Sequence, residues 1–360
     1  IGDLMLGVID LSIVILYMIG MVAVGAYTLR YAKKLEDYLV AGRRLIMLTY
    51  IPAMAAVVFG GASTVGSGRL GFTYGISGIW FVTMISLGII ANGLIVARKI
   101  IPLGIVSMGE FLERRYDRRT RILGSIIVAV YDIMVAVTQT IAIGTVFSVM
   151  LGWDPAISMV IGGLIVVIYT TLGGMWSVTL TDIIQFWVMT LGVVILIPII
   201  GSIALQGRGL SLSALPSKFF DWGAVGINTI ILWFLLYFFG LMLGQDIWQR
   251  VLTAKDKRVG SIGTAIAGAY GILYAFCAVL GGMMAYLWYG GKLANPQFAL
   301  PKFIADVYPT GLAGIVLAGM LAAFMSTGDS CLLAATTLIA YDVIGSLKKL
   351  MMRSCNIPIS

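Results

Sequence analysis

Four aspartates stand inside, or at the edge of, long apolar runs: Asp132, Asp182, Asp246 and Asp329. A carboxylate in hydrocarbon is costly unless it pairs with a cation or serves to hold one, so acids placed this way mark paths for ions or charged solutes. A plainer reading exists for three of them. Asp182 and Asp246 could cap helices or sit at a boundary, and Asp132, between Tyr131 and Ile133, could be a hydrogen-bonded structural acid. Near Asp329 the chain reads Ala322-Ala-Phe-Met-Ser-Thr-Gly-Asp-Ser330, which sets two adjacent hydroxyls beside a carboxylate within an apolar helix. A single Ser or Thr there is accounted for by back-bonding to the preceding turn. The adjacent Ser326 and Thr327 together with Asp329 ask for more. A hard monovalent cation takes about five or six oxygens, and neutral hydroxyls combined with the freed carbonyls of an unwound helix can supply them.

The sequence offers such an unwound helix. From Ala55 to Gly68 it reads Ala-Ala-Val-Val-Phe-Gly-Gly-Ala-Ser-Thr-Val-Gly-Ser-Gly, with Gly60, Gly61, Ser63, Thr64, Gly66, Ser67 and Gly68 in one cluster. Small residues let membrane helices approach closely, but that explains isolated glycines better than a run of glycines and hydroxyls. Irregular backbone at membrane depth is tolerated where it faces protein or a watery cavity, so the run points to a site. A second interruption, Phe239-Gly-Leu-Met-Leu-Gly-Gln-Asp-Ile-Trp-Gln-Arg250, falls five spans later. That interval suggests two inverted repeats of five helices whose broken first members meet at mid-membrane. Solute contacts are expected from Gly60, Gly61, Ser63 and Thr64, from Asp132 and Gln139, and from Gln245, Asp246 and Trp248.

Other chemistries are excluded by what is missing. With no histidine, imidazole relays, histidine metal sites and Ser-His or Cys-His pairs are all unavailable. Cys277, Cys331 and Cys355 have no metal-ligand spacing and read as small core residues, not as a disulfide framework. No organic cofactor and no enzymatic activity are expected. Hydrophobic residues make up 60% of the chain, charged residues 11%, and the mean hydropathy is +1.02, a balance only a lipid environment accommodates. The formal charge of +8 therefore speaks for the cytoplasmic leaflet and against nucleic acid. Asp3 and Asp10, standing where a signal peptide would be basic, argue that the first apolar run stays as a helix.

These residues need helices to carry them. A bilayer core of about 30 Å takes about 20 apolar residues per crossing. Nine stretches are expected to cross, near 8–29, 46–68, 77–97, 123–151, 155–173, 183–205, 224–247, 260–289 and 311–340. Nineteen of the 24 Lys and Arg residues fall on one set of the resulting loops, at 30–44, 98–121, 250–258 and 348–353. Arg69, Arg208, Lys218, Lys292 and Lys302 fall on the other set. The positive-inside rule then puts the N-terminus outside and the residue 360 end inside the inner membrane. Glu110 to Tyr116 alternates charged and apolar residues as an amphipathic helix lying on the headgroups would. The segments 206–222 and 290–309, with Pro216, Pro296 and Pro301, are external loops.

Three segments resemble the sodium/solute symporter family: Asp37-Tyr-Leu-Val-Ala-Gly-Arg-Arg-Leu45, the run Tyr169 to Gln185 with its Thr-Asp at 181–182, and Leu321-Ala-Ala-Phe-Met-Ser-Thr327. The resemblance implies an all-α polytopic fold of five plus five inverted helices behind an extra leading helix. It also implies a Na+ site made by the carbonyls of Ala56, Phe59 and Ala323 and the hydroxyls of Ser326 and Thr327, with Asp182 linked to sodium transit from the inside. Val58 stands where proline carriers of that family have an acid and where the choline branch has a tryptophan, although Phe59-Gly-Gly and Leu241-Met-Leu-Gly look closer to the choline branch.

The expected organisation is a leading helix and loop over 1–45, a first repeat over 46–205, and an incomplete second repeat of three helices over 206–360, two helices short of the family core. The expected function is symport of a small organic solute with Na+, by a monomer or loose homodimer in the lipid bilayer. Asp132 and Asp246 suit an amine or amino acid, whereas the positive ends of broken half-helices suit a carboxylate. The alternatives are a proton-coupled carrier titrating at Asp132 or Asp182, a transporter-like membrane sensor, and a channel, which would need a pore loop or charge ring.

Overall fold

The structure is a computed structural model that describes residues 7–31 and 35–347. Asp3, Lys33, Lys34, Lys348, Lys349, Arg353 and Cys355 lie outside the described residues. The described chain is helical, and its one β-bridge pairs Leu45 with Ala254, joining the loop before the first helix break to the loop after the second.

Helix α1 spans Val8–Thr28. Helix α2, Met47–Val58, ends at Phe59 (φ −107°, ψ 67°), and after the break a π-helical turn over Ala62–Gly66 leads into α3, Ser67–Tyr74. There follow α4 (Ile79–Ala91), the short amphipathic α5 (Met108–Arg115), α6 (Arg118–Leu151), α7 (Pro155–Met189) and α8 (Ile197–Gly207). The second broken unit comprises α9 (Ile227–Trp233), α10 (Phe239–Leu243) and α11 (Gln245–Val251). Its halves meet at Gly244 with a bend of 47°. Then come α12 (Lys257–Tyr289), α13 (Ala299–Val307) and α14 (Leu312–Thr337).

Among the described residues, six helical stretches are long and apolar enough to cross a membrane, or seven if the bent pair counts as one. Nine were expected, and the difference has a physical source. The stretch Ala62–Leu103 holds 42 residues and Pro155–Gly207 holds 53. At 1.5 Å per residue the longer would extend about 80 Å, far beyond a bilayer, if it were straight. It is not straight. Gly174 adopts φ 56°, ψ −142°, and the Ser177 hydroxyl donates to the Tyr169 carbonyl at 3.1 Å, a contact that residues eight apart on a continuous helix cannot make. Gly75 adopts nearly the same dihedrals, φ 65°, ψ −142°, and a Cβ at Gly78 would stand 2.7 Å from that of Leu70. Each stretch therefore doubles back on itself at a glycine, with no polar loop between its arms. The arm after Gly174 carries Asp182 into the interior instead of to an interface.

The helix ends follow from local chemistry. Asp117, Asp154 and Asp256 cap α6, α7 and α12 by accepting backbone N–H bonds, and Gly152 and Gly290 end α6 and α12 in the left-handed conformation that glycine adopts without strain. Ser107 caps α5 while Glu110 accepts from the Val106 amide, a reciprocal cap at the end of the basic loop. Asp10 is spent on the amides of Gly311 and Gly314, both at 2.7 Å, which fastens α1 to the start of α14.

Packing divides the helices into two groups. One is built from α1, α6, α7 and α14; the other sets α2, α3, α4 and α8 against α12. Helix α2 also touches α7 and α14, and α11 touches α14 and α2, so both breaks lie where the groups meet.

Gly174 tests this architecture. Its positive φ disfavours any side chain, and a Cβ would stand 2.6 Å from the Tyr38 ring, so Gly174→Val should cost about 1–3 kcal/mol in backbone strain alone. The expected outcome is a lower melting temperature and a smaller folded yield in detergent, whereas Gly207→Val, with open space around its Cβ, should change neither.

Candidate functional site

The break in α2 exposes backbone that α14 meets. The Ser326 hydroxyl lies 2.8 Å from the Ala56 carbonyl and 3.0 Å from that of Ala323, and the Thr327 hydroxyl lies 3.3 Å from the Ala323 carbonyl. Four oxygens of the expected sodium set are thus brought together, on residues almost wholly buried. The fifth residue, Phe59, ends α2, where ψ 67° turns its carbonyl out of the helical ladder. The break is held open by α6, since Gln139 accepts the Gly61 amide through Oε1 at 2.6 Å. A Cβ on Gly60 would come within 2.5 Å of the Thr327 hydroxyl, so only glycine permits this approach. Thr64 does not reach the opening: its hydroxyl is used by the Gly60 carbonyl and by Tyr274.

A cavity of about 170 Å³ opens beside these oxygens, bounded by Gly60 and Ser63 on the broken span, Gln139 on α6, Asp246 on α11 and Thr327 on α14. A wider one of about 400 Å³ shares Phe81, Thr138 and Tyr237 with it and extends past Gly61 to Arg69, Trp233 and Gln297. Thr64 and Asp132 are not part of this lining, and two further expected solute contacts are turned elsewhere. Gln245 accepts the Met108 amide at 2.8 Å and donates to the Val106 carbonyl at 3.3 Å, and the Trp248 indole donates to Met242 while its ring packs edge-on against Phe111. Both spend their polar atoms on the loop around α5 and the break itself, turned from the cavity.

Asp182 forms an ion pair with Arg250 in which both side chains are fully buried. Arg250 also donates to Thr179 at 2.9 Å and Ser330 at 3.1 Å, Ser330 donates to Asp329 at 3.2 Å, and Tyr169 donates to Asp329 at 2.8 Å. This network joins α7, α11 and α14 one helical turn from Ser326. Counting Arg250 among the loop charges hid it; its one visible signal was an arginine closing the second interruption. On the opposite flank Asp132, Asp246 and the buried Cys331 place a carboxylate or sulfur atom each within 4.8 Å of one another. Phe81, Tyr131 and Tyr237, none of them expected, supply the aromatic wall. Nearer the basic loops, Asp342 accepts from Arg121, Ser107 and Ser125, and Arg121 in turn pairs with Glu113. That hydrogen bond from Arg121 holds the Glu113 carboxyl below its ordinary range.

A sequence model of the sodium:solute symporter family matches residues 38–354. The chain belongs to that family. Its relatives include sodium/glucose cotransporter 4 of Danio rerio, 26% identical over 93% of this chain and 57% of the relative. They also include the high-affinity proline transporter PutP of Bacillus subtilis, 27% identical over 91% of this chain and 72% of the relative. The high-affinity choline transporter 1 of Caenorhabditis elegans is 26% identical over 86% of this chain and 56% of the relative. All three are transporters, not enzymes. The chain spans little more than half the length of the cotransporter and of the choline carrier. Among solved structures, a Na+-coupled sialic acid symporter in a substrate-bound outward-open state superposes with a TM-score of 0.79 at 24% identity, covering 94% of this chain and 75% of that one. A nucleobase-cation-symport-1 family transporter in a closed conformation gives 0.61 at 15%, over 86% of this chain and 69% of that one. The fold is therefore that of such transporters, and this member of the family is a multi-pass membrane protein.

The Asp182 to Arg250 pair supplies a test of the site's construction. Removing one partner of a buried pair leaves an uncompensated charge, at a cost of about 3–5 kcal/mol, while removing both is far less harmful. Arg250→Met should therefore depress thermal stability strongly, and adding Asp182→Asn to it should restore most of the loss; a double variant no more stable than the single one would show that the pair is not the main partner of either residue.

Proposed function

We propose that this protein carries a small organic solute and sodium together across the cytoplasmic membrane by alternating access. The observation that carries the reading is the meeting of Ser326 and Thr327 with the Ala56 and Ala323 carbonyls beside a broken helix. A buried hydroxyl can orient its lone pairs toward a cation as readily as it donates to a carbonyl, so the set fits a desolvated monovalent ion without a formal counter-charge. The Phe59 carbonyl completes it. Sodium bound there stabilises one arrangement of the α2 break against α14, and the same break lines the solute cavity through Gly60 and Ser63. Each ligand then raises the affinity for the other by the same factor, which is coupling.

In this reading the chain makes nine crossings, the two doubled stretches counting as two each around the α2 break. The N-terminus lies outside and residue 360 inside, in agreement with the bias of basic residues. The segments 46–205 and 206–360 are two inverted repeats behind a leading helix at 1–45, and their broken members α2 and α11 meet at the junction of the helix groups. The 400 Å³ cavity, running from the solute site past Arg69 and Gln297, is the external vestibule. The inner side is shut by the contacts of Gln245 with residues 106–108 and by the Asp342 to Arg121 cluster. Asp182 lies on the route sodium takes inward once those contacts part.

Ser326→Ala and Thr327→Ala should each raise the sodium concentration for half-maximal uptake about tenfold, with near-normal amounts of protein in the membrane; one lost ligand to an ion is worth about 1.4 kcal/mol or more. Uptake measured against a sodium series in proteoliposomes checks this, and unchanged sodium dependence in both variants would remove the assignment.

A further inference from the structure

Asp132 and Asp246 carry more acceptor capacity than the protein fills. Both oxygens of Asp132 and one oxygen of Asp246 have no hydrogen-bond partner among the described residues, yet Asp132 is fully buried and Asp246 only 6% exposed. The donors near them are the backbone amides of Asp246 and Ile247 and the Cys331 thiol, 3.8 Å from Asp246, a weak donor. The buried cation of the region is unavailable to them, because Arg250 is engaged by Asp182, Thr179 and Ser330. Two carboxylates so placed in a membrane interior are neutralised either by protons of their own or by a cation from outside the chain, and the open side of Asp246 gives a cation access.

The cavity has the form to admit it. Asp246 is part of its lining, with Asp132 directly behind. Phe81, Tyr131 and Tyr237 give it aromatic walls, Phe81 and Tyr237 standing edge to face with centroids 5.1 Å apart. A carboxylate at the end of an aromatic-walled pocket is a receptor for an organic cation, whose charge meets the acid while its body lies against ring faces. No lysine or arginine lines the inner cavity. Arg69 borders the outer vestibule alone and is exposed to solvent, where its field is screened. Thr138, Gln139 and Ser63 add neutral polar groups for the remainder of the solute.

We propose that the solute carries a protonated amine, which binds against Asp246 with Asp132 as its second carboxylate, between Phe81, Tyr131 and Tyr237. This rests on the reading of the cavity as the solute site, and it names the chemical class. A carboxylate group on the solute is not required, and a purely anionic solute would meet acidic side chains and no basic one.

The test is the melting temperature of the purified full-length protein in sodium and in potassium. The probes are primary and secondary alkylamines, amino alcohols and amino-acid amides, each beside its hydroxyl isostere and its carboxylate counterpart. In sodium, at least one amine should stabilise by several degrees where its two counterparts do not, and Asp246→Asn should raise the concentration needed by about tenfold or more. The wild-type series decides the matter alone if that variant fails to fold. Stabilisation by a neutral or anionic solute in preference to every amine would overturn the proposal, as would no response to any amine. Sodium-dependent stabilisation by such a solute would leave the symport reading standing. Amines that stabilise equally in potassium would keep the amine site and remove sodium coupling instead.

Discussion

The interrupted hydrogen-bond ladder at Phe59 and Gly60 is the constraint on which the rest of the molecule depends. A helix broken inside lipid leaves carbonyl and amide groups that no solvent can satisfy, and each would cost several kcal/mol if left alone. Gln139 takes the Gly61 amide, Thr64 returns to the Gly60 carbonyl, and Ser326 reaches the Ala56 carbonyl. Every one of these contacts comes from a helix or turn that had to be brought within about 3 Å, and glycine at position 60 is what allows Thr327 to approach so closely. The break therefore fixes how α6 and α14 stand against the broken span. Conversely, any movement of α14 away from α2 reopens the unsatisfied backbone. An ion that can replace these bonds with its own attraction for oxygen makes one arrangement cheaper than another.

The second break solves the same problem differently. At Gly244 the backbone turns to an extended conformation, and the neighbouring polar side chains are directed to either side of α11. Gln245 binds residues 106–108, Gln249 donates to the Leu39 carbonyl and to Thr337, and Arg250 enters the Asp182 network. Asp246 alone is left facing the cavity. One short helix thus touches the loop at 106–108, the α14 helix and the cavity together. A tilt of α11 would have to change all three, so a change in the cavity can be felt at the loop around α5 without a dedicated relay.

Most of this was legible where chemistry and spacing coincide. The glycine and hydroxyl run at 60–68 announced a break, and Ser326 with Thr327 announced its partner, because hydroxyls and glycines have few other reasons to cluster in an apolar helix. The doubled stretches were less readable. The expected spans 155–173 and 183–205 already divide at Gly174, where the chain reverses, but the second arm begins at once after the glycine, so a start at 183 left Asp182 at its edge when it is buried. Gln245 and Trp248 were assigned to the solute by proximity in sequence to Asp246, but a helix sends successive residues around its axis, and they face elsewhere. The aromatic wall was invisible for a similar reason: Phe81, Tyr131 and Tyr237 lie on three different spans, and only packing assembles them.

The two flanks of the α2 break answer charge in opposite ways, and this asymmetry bears on how the protein works. Toward α7, the Asp182 carboxylate has a guanidinium in place and Asp329 is hydrogen-bonded by Tyr169 and Ser330, although Asp182 Oδ1, Arg250 Nε and the Gln185 amide have no hydrogen-bond partner among the described residues. Toward α11, Asp132 and Asp246 have a thiol and little else. A carboxylate already paired with an arginine gains less from a further cation than one with no basic partner, since in a medium of low dielectric the attraction is barely screened. Neutral oxygens at Ser326 and Thr327 lie between the two flanks. A sodium ion held there adds a positive charge close to both, and its effect falls chiefly on the flank that lacks one. For an amine solute the two like charges oppose each other in that shared field, so the coupling of ion and solute has to come from the backbone they both order.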